Sequence, residues 1–324
     1  MKIRERILEV LENNKGIYIS GEELAKELCV SRNSVWKSIR ALQGYGYNIS
    51  AVTNKGYCLA VDSDIVSAQS VQKHISKYPN TFEIMVHKTI ESTNKAAKEL
   101  AFQGAEEGTV IISEEQTAGR GRLGRSFFSP AQTGLYMSII LRPNLTASQS
   151  LLITTATAVA VSQAIENISG KMAKIKWVND VYCDEKKVSG ILTEASFSLE
   201  SGDLEFVVLG IGINVKPPNE GFPPDISNIA TALFEMEAST DVRSQLAAEV
   251  LQNFWCYYLN LEEKNFVQEY RDRSFLIGRE ISIVSIDDSQ YAVVLGIDDD
   301  CALKVQMKDG TVRTLKAGEV SIKV

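Results

Sequence analysis

Histidine is nearly absent from this 324-residue chain, which has only His74 and His87. Neither has acids or cysteines at ligand spacing, so Ser-His-Asp, Cys-His and histidine–metal chemistry have no basis here. Both read as structural or solvent-exposed. The five cysteines, Cys29, Cys58, Cys183, Cys256 and Cys301, are odd in number, far apart and without metal-type spacing. Free buried thiols are expected. No apolar run is long enough for a membrane span, because the nearest, Leu151 to Ile165, is short and carries Thr154, Thr155, Thr157, Ser162 and Gln163. It reads as a buried helix. The start, Met1-Lys2-Ile3-Arg4-Glu5-Arg6, lacks the apolar stretch of a signal peptide, so a cytoplasmic protein with no membrane partner is expected. Acidic residues are missing from Ser31 to Ala60, a segment that holds Arg32, Lys37, Arg40 and Lys55 inside a chain of formal net charge −7. The overall charge argues against coating nucleic acid, but a local basic face is what DNA needs.

What is present is an ordinary globular composition, 44% hydrophobic and 23% charged, on a chain long enough for two or three domains. The first 62 residues carry nine Lys or Arg against seven Asp or Glu, whereas the remainder carries 25 against 34. Apolar positions Ile3, Ile7, Leu8 and Leu11 have helical spacing. Ser20-x-x-Glu23 is a capping box for a second helix through Leu28, and Cys29-Val30 makes a turn. Ser31 then caps a third helix, Arg32 to Leu42, with Val35, Ile39 and Leu42 inward and Arg32, Asn33, Ser34, Lys37 and Arg40 outward. These are groove-reading residue types. Gly44 and Gly46 end that helix, and Tyr47 to Val52 with Gly56 to Leu59 forms a hairpin whose tip includes Lys55. The pattern is a winged helix-turn-helix, and DNA binding through Ser31, Arg32, Asn33, Ser34, Lys37, Arg40 and Lys55 is favoured over a protein-binding three-helix module.

Val61 to Pro79 reads as a linker with a short helix. Strand-like runs follow at Phe82 to His87, Thr109 to Ser113, Leu135 to Leu141, Lys174 to Val178, Val188 to Ser196 and Phe206 to Val215, with helical patterns at Thr93 to Gln103, Gln149 to Asn167 and Val242 to Lys264. Late strands in succession predict a mainly antiparallel sheet backed by helices. From Ile281 four short strands, broken by Asp-Asp-Ser, Asp-Asp-Asp and Asp309-Gly310, predict a small antiparallel barrel. The expected organisation is α+β, with domains 1–62, 81–272 and 273–324 and a linker at 63–80.

The most informative stretch is Gln116-Thr117-Ala118-Gly119-Arg120-Gly121-Arg122-Leu123-Gly124-Arg125, three arginines among three glycines. Glycine lets backbone approach a ligand and arginine offers a permanently charged fork for carboxylate or phosphate, so the loop is suited to closing over an anion. Its G-x-G-x-x-G spacing is not a dinucleotide fingerprint, since Ser126-Phe127-Phe128-Ser129-Pro130 and a strand follow instead of a helix. A basic surface loop or an RNA-touching Arg-Gly segment are the plainer alternatives. Four other segments converge with it. Glu91-Ser92-Thr93-Asn94 opens a helix with hydroxyls that are caps or ligand donors. Lys176-Trp177-Val178-Asn179-Asp180 ends a strand with an amide and a carboxylate, suited to a phosphate-bound Mg²⁺ or to a turn, and Lys187-Val188-Ser189-Gly190-Ile191-Leu192 sets a lysine before a glycine. Gly210-Ile211-Gly212-Ile213-Asn214-Val215 is a strand whose glycines imply close packing on its backbone.

Together these residues resemble the bifunctional bacterial biotin protein ligases, which also act as biotin-operon repressors, over essentially the whole chain. The most specific parts are Gly119 to Arg125, Lys176 to Asp180 with Lys187 to Ile191, and Gly212-Ile213-Asn214. The family commonly has Pro where Val178 stands and often Trp where Phe127 stands. Related lipoate ligases generally lack the glycine–arginine loop in this form and the helix-turn-helix. The resemblance implies a central domain of the class II synthetase/biotin ligase kind. It implies that biotin and MgATP give biotinyl-AMP and pyrophosphate, and that a lysine of a biotin carboxyl carrier protein, in an acetyl-CoA or pyruvate carboxylase, then takes the biotin. It implies Lys187, Arg120 and Arg122 as catalytic. Around biotin it implies Ser92, Thr93, Asn94, Gln116, Gly119, Arg120, Gly121, Arg122, Lys187 and Gly190; around ATP, Arg122, Arg125, Phe127, Lys187 and Asn214; and near Mg²⁺, Asn179 and Asp180. It further implies operator DNA as a partner and a homodimer in the adenylate-bound state. A ligand-sensing repressor without turnover and a lipoate-type acyl-adenylate ligase are the rivals.

Overall fold

The computed structural model describes residues 2–144, 150–197, 204–235, 241–284 and 290–322. Gln149 and the Asp287-Asp288-Ser289 turn lie outside the described residues.

The N-terminal unit has three helices, α1 (Ile3–Asn13), α2 (Gly21–Glu27) and α3 (Arg32–Gly44), and an antiparallel hairpin of β1 (Ile49–Val52) and β2 (Gly56–Leu59). Its helix starts follow the expected chemistry: the Glu23 backbone N–H donates to Ser20 Oγ and Glu23 Oε2 accepts from the Ser20 N–H, both at 3.0 Å. Ser31 accepts from the Ser34 N–H at 3.1 Å. Ile7, Leu8, Leu11, Leu24, Val35, Ile39, Leu42 and Leu59 close a core of their own. Gly56 is needed where β2 pairs with Ile19, because its φ is +104° and a Cβ would sit 2.1 Å from the Ile19 carbonyl oxygen.

Residues 63–80, with α4 (Ala68–Gln72), do not run free between units: Val66, Val71 and Ile75 are buried in the central core. Arg243, almost fully buried, pairs with Glu114 at 2.7 Å and bonds the Asp64 carbonyl, while Glu114 accepts from the Val66 N–H at 2.8 Å. These contacts fasten residues 64–66 to α7 (Val242–Leu259).

The central sheet comprises β3 (Glu83–His87), β4 (Thr109–Ser113), β5 (Gly134–Leu141), β6 (Lys174–Lys176), β7 (Asp180–Cys183), β8 (Lys186–Phe197) and β9 (Leu204–Asn214). Their order is β3-β4-β5-β9-β8-β7-β6, with only β3 and β4 parallel, so the sheet is mixed and mainly antiparallel as expected. On one face Val110, Ile112, Met137 and Ile139 share a core with α6 (Ser150–Ser169) and α7. On the other, Ile111, Ile140 and Val208 meet Ala97 and Ala101 of α5 (Thr93–Phe102). This period-2 split is why β4 and β5 are buried along their whole length. Helix α6 is long and apolar enough to cross a bilayer, yet most of it lies inside the fold.

The C-terminal strands β10 (Glu280–Val284), β11 (Gln290–Ile297), β12 (Leu303–Met307), β13 (Val312–Leu315) and β14 (Glu319–Ile322) form an antiparallel sheet in the order β13-β12-β11-β10-β14. Among the described residues β13 and β14 are its two edges and do not pair. Ile281, Ala292, Val294, Leu303 and Val305 belong to the same core as the central sheet, and the Trp177 indole N–H donates to the Cys301 carbonyl at 2.9 Å.

Several expectations need correction. The strand from Lys174 stops at Lys176, because Trp177 and Val178 turn inward and are buried, and Asn179-Asp180 leads into β7 instead of ending a strand. The last long helix stops at Leu259, followed by a 3₁₀ turn, Leu261–Glu263, and a left-handed Lys264. The short α8 (Val267–Arg273) and β14 were missed. All five cysteines are free as expected, but Cys29 and Cys256 are exposed and not buried.

The helix-turn-helix meets the rest of the chain largely through charge, with Tyr47 also bonding Ser67. Lys15, in the turn after α1, pairs with Glu12 at 3.1 Å and with Asp241, at the start of α7, at 3.6 Å. Lys73 and His74 Nε2 both approach Asp241 Oδ2 at 2.9 Å. Burial would raise the Asp241 pKa, but hydrogen bonds from His74 and Lys73 and the charge of Lys15 outweigh it and hold the carboxyl at about 2. Glu12, buried beside them, goes the other way: desolvation pushes its carboxyl up despite Lys15.

Candidate functional site

The glycine–arginine segment is a narrow hairpin, not an open flexible loop. Arg120 and Ser126 bridge, the Gly121 N–H donates to the Arg125 carbonyl at 2.7 Å, and Phe127 N–H donates to Gly119 at 2.9 Å. A single 3₁₀ turn, Arg122–Gly124, forms its tip, where Leu123 has φ 53°. Gly119 is fixed by contact, since a Cβ would fall 2.4 Å from the Phe127 carbonyl oxygen and 2.6 Å from Ser129 Oγ. Arg122 spans two domains: its Nη1 donates to Asn179 Oδ1 at 2.9 Å and its Nη2 to the Gly318 carbonyl at 3.0 Å. Arg120 and Arg125 project from the exposed part of the hairpin.

Behind this hairpin lies a hydrogen-bonded row of neutral polar groups. Gln116 Oε1 accepts from the Thr93 backbone N–H at 2.8 Å and from its hydroxyl at 3.1 Å, while Gln116 Nε2 donates to Ser129 at 2.9 Å. Ser138 Oγ lies 2.8 Å from Thr93 Oγ1 and donates to Asn94 Oδ1 at 2.7 Å. Asn94 Nδ2 donates to Glu194 at 2.7 Å. Ser92 precedes α5 without capping it and is buried. Asn94 bonds Ser138 and Glu194 through its amide, and it lines the same small cavity as Thr93 and Gln116, where a ligand could exchange bonds with them. Ser138, Ser129 and Glu194 were missed by sequence, since a polar residue inside an apolar strand shows its partner only in three dimensions.

The glycines of β8 and β9 are explained by side chains. A Cβ on Gly210 would lie 2.0 Å from Asn94 Oδ1, one on Gly212 2.6 Å from the Phe127 ring, and one on Gly190 3.2 Å from Lys187. Phe127 thus packs against Gly212 of β9 and makes a T-shaped pair with Tyr136, centroids 6.3 Å apart. Lys187 Nζ pairs with Asp180 Oδ1 at 2.7 Å, and the Lys187 backbone is bonded to Ile229 and Thr231. Asn179 Nδ2 donates to the Ile191 carbonyl at 2.9 Å, and Asn214 Nδ2 to the Thr231 carbonyl at 3.1 Å. Asn214 is thereby tied to the chain segment that also holds Lys187.

Two cavities meet at Phe127. A small one of about 20 Å³ is lined by Ser92, Thr93, Asn94, Gln116, Gly210 and Gly212, and a larger one of about 100 Å³ by Arg122, Arg125, Asn179, Asp180 and Lys187. Arg120, Phe127, Gly190 and Leu192 line both. A neutral polar pocket thus opens beside a cationic one, an arrangement that can bring two anionic groups together at the shared wall. Neither cavity is as large as ordinary ligand pockets of about 300 Å³ or more, so the hairpin or Phe127 must move to admit a ligand.

For a metal, the donor set is thin: no cluster of three or more His, Cys, Asp or Glu exists among the described residues. Asp180 is the one carboxylate lining the cationic cavity, and the Asn179 oxygen already accepts from Arg122. That suits an ion such as Mg²⁺ carried mainly by ligand phosphates, with a single protein carboxylate.

At the other end of the molecule Arg32, Asn33, Lys37 and Arg40 are exposed on α3, and Ser31 and Ser34 at its start also bond each other at 2.9 Å. Lys55, at the wing tip, stands 5.8 Å from the Tyr18 ring centroid.

Comparisons with known proteins match three stretches of the chain. Residues 86–214 match the biotin/lipoate A/B protein ligase family, residues 3–58 an HTH domain, and residues 276–323 the biotin protein ligase C terminal domain. The bifunctional ligase/repressor BirA of Bacillus subtilis is 32% identical over 318 residues, covering 97% of each chain. The Escherichia coli protein of that name is 26% identical over 329 residues, covering 98% of this chain and 96% of its own. A biotin protein ligase from Aquifex aeolicus in complex with biotin and ATP superposes with a TM-score of 0.60 at 26% identity, over 74% of this chain and 98% of that one.

Proposed function

The chain belongs to the biotin protein ligase family in its bifunctional ligase/repressor form, and we propose from that premise how its residues do the work. It is an ATP-dependent ligase that makes biotinyl-5′-AMP, transfers biotin to a lysine of a biotin carboxyl carrier protein, and binds DNA as a repressor with the adenylate as corepressor. The observation that carries the assignment of roles is the pair of cavities sharing Arg120, Phe127 and Gly190.

Biotin's ureido ring would bond Ser92, Thr93 and Gln116, leaving its carboxylate at Arg120 and Gly190. The ATP phosphates would enter the cationic cavity, with the adenine against Phe127 and with Arg125 and Asn214 at the nucleotide. Mg²⁺, arriving with ATP, would have Asp180 as its protein carboxylate and would supply charge neutralisation. A biotin carboxylate oxygen then attacks the α-phosphorus, the bond to the β-phosphate oxygen breaks, and pyrophosphate leaves. Lys187, exchanging Asp180 for substrate oxygens, offsets the charge of two approaching anions, and preorganised charges of this kind are worth about 10² to 10³ in rate. Arg122, anchored to Asn179 and Gly318, holds the hairpin over the mixed anhydride and keeps water away. In the second step an acceptor lysine amine attacks the acyl carbon, its proton is lost and AMP departs.

The acceptor belongs to a biotin-dependent carboxylase such as acetyl-CoA or pyruvate carboxylase, and both reactions belong in the cytoplasm. We further propose a homodimer in the adenylate-bound state, whose two α3 helices read half-sites of an inverted repeat. Pyrophosphate release from ATP on adding biotin tests the enzyme reading. No release would favour a ligand-sensing repressor without turnover, and release driven by lipoate but not biotin would favour a lipoate-type ligase.

A further inference from the structure

Trp36 is the one residue on the outer face of α3 that the charged surface does not account for. It is 51% exposed on a helix whose other large apolar residues, Val35, Ile39 and Leu42, are at most 2% exposed. Among the described residues it has no ring, cation–π or hydrogen-bond partner. Asn33, Trp36, Lys37 and Arg40 stand at i, i+3, i+4 and i+7, which places them on one side of the helix. An indole left half in water on a well-packed helix is a large exposed apolar group beside three polar ones, and the fold gains nothing from its outer half.

We propose that Trp36 is a base-reading residue that packs against a thymine 5-methyl group in the major groove, and so fixes one position of each half-site. The inference rests on the DNA-binding reading of α3. Charge selects duplex DNA as the occupant, since Arg32, Lys37 and Arg40 are exposed on the same helix as the ring, Lys55 tips the wing, and Ser31 to Ala60 contains no acid. A second copy of this face would meet it with like charge. Within the major groove the thymine methyl is the one apolar group that a base edge offers. Trp36 lies in the first half of α3, the part of a recognition helix that reaches base edges.

The test uses the full chain with biotin and ATP. Duplexes are first enriched from a random-sequence pool with the wild type, then each thymine of the enriched duplex is replaced singly by uracil, which lacks only the methyl. One replacement per half-site should weaken wild-type binding markedly. Trp36→Ala should weaken the enriched duplex by about tenfold or more, leave a scrambled duplex unaffected, and be indifferent to that same uracil. Trp36→Phe should keep most of the affinity. Equal loss on enriched and scrambled duplexes would assign Trp36 to the sugar–phosphate backbone and overturn the proposal, as would a wild type indifferent to every uracil. If the wild type enriches no sequence at all, the DNA reading itself fails, a result visible before any variant is made.

Discussion

The two modules that flank the central sheet are attached in opposite ways. The N-terminal helix-turn-helix keeps a separate apolar core and meets its neighbour chiefly through Glu12, Lys15, Lys73, His74 and Asp241, with a hydrogen bond between Tyr47 and Ser67. The C-terminal sheet has no core apart from the central one, and its Cys301 and Gly318 carbonyls hold Trp177 and Arg122 of the catalytic unit. A charged junction can be broken and remade at modest cost, because charges left in water are resolvated, whereas a shared apolar core cannot be opened without exposing it.

The largest effect should come from removing one module or the other. A chain ending at residue 272 should lose cooperative unfolding and adenylation together, since Trp177, Tyr270 and Ile175 are left facing water. A chain starting at residue 63, which keeps Asp64 and Val66 on Arg243 and Glu114, should fold and keep detectable ligase activity while losing DNA binding. Soluble yield, thermal melts and pyrophosphate release check both. Equal damage from the two truncations would erase the comparison.

Next in size is Lys187→Ala, which should slow adenylation by more than about tenfold with the melt little changed, because the side chain serves the cavity and not the core. Unchanged pyrophosphate release removes Lys187 from the chemistry. Arg122→Gly should follow: losing its charged hydrogen bonds, including the one to the C-terminal sheet, should speed escape of the adenylate by about tenfold or more. Free adenylate would then label lysines indiscriminately. Labelling confined to the acceptor would show that Arg122 does not secure the hairpin.

The smallest effects belong to the charged junction and have opposite signs. Asp241 is held at about 2, below its unfolded value near 3.9, so its contribution, on the order of 1–2 kcal/mol, is present above that unfolded value and fades as pH falls through about 2. Asp241→Asn should flatten this acid dependence in the full chain. Glu12 is raised, so its ionised form opposes folding near neutral pH and is relieved as pH falls through its raised value. Glu12→Gln should therefore leave stability at pH 7 unchanged or raise it by less than about 1 kcal/mol. Urea unfolding between pH 2.5 and 7 reads both, and loss of stability in Glu12→Gln would contradict the sign.

The helix-turn-helix was legible almost residue by residue, since its signals are local: Ser20 and Ser31 cap, Val35 and Ile39 face inward, and Lys55 tips the wing. The glycine–arginine hairpin, Lys187 and Asp180 were legible as chemistry but not as geometry, for nothing in their spacing says that Arg122 reaches Gly318 or that Lys187 rests on Asp180. The turn at Trp177-Val178 was misread because two large apolar residues continue a strand pattern even when burial ends it. Asp241 and Arg243 gave no signal, since their partners lie far away in sequence. Trp36 was hidden by helical periodicity that marks it only as neighbouring the inward Val35.

A module joined by charge should also be the one that responds to the site. The most direct test is equilibrium binding of the full chain to an enriched duplex, measured alone, with biotin, with ATP and with both. Biotin and ATP together should tighten binding beyond either alone, because the adenylate favours the DNA-binding form and DNA must favour the adenylate in return. Identical affinity under all four conditions would contradict it.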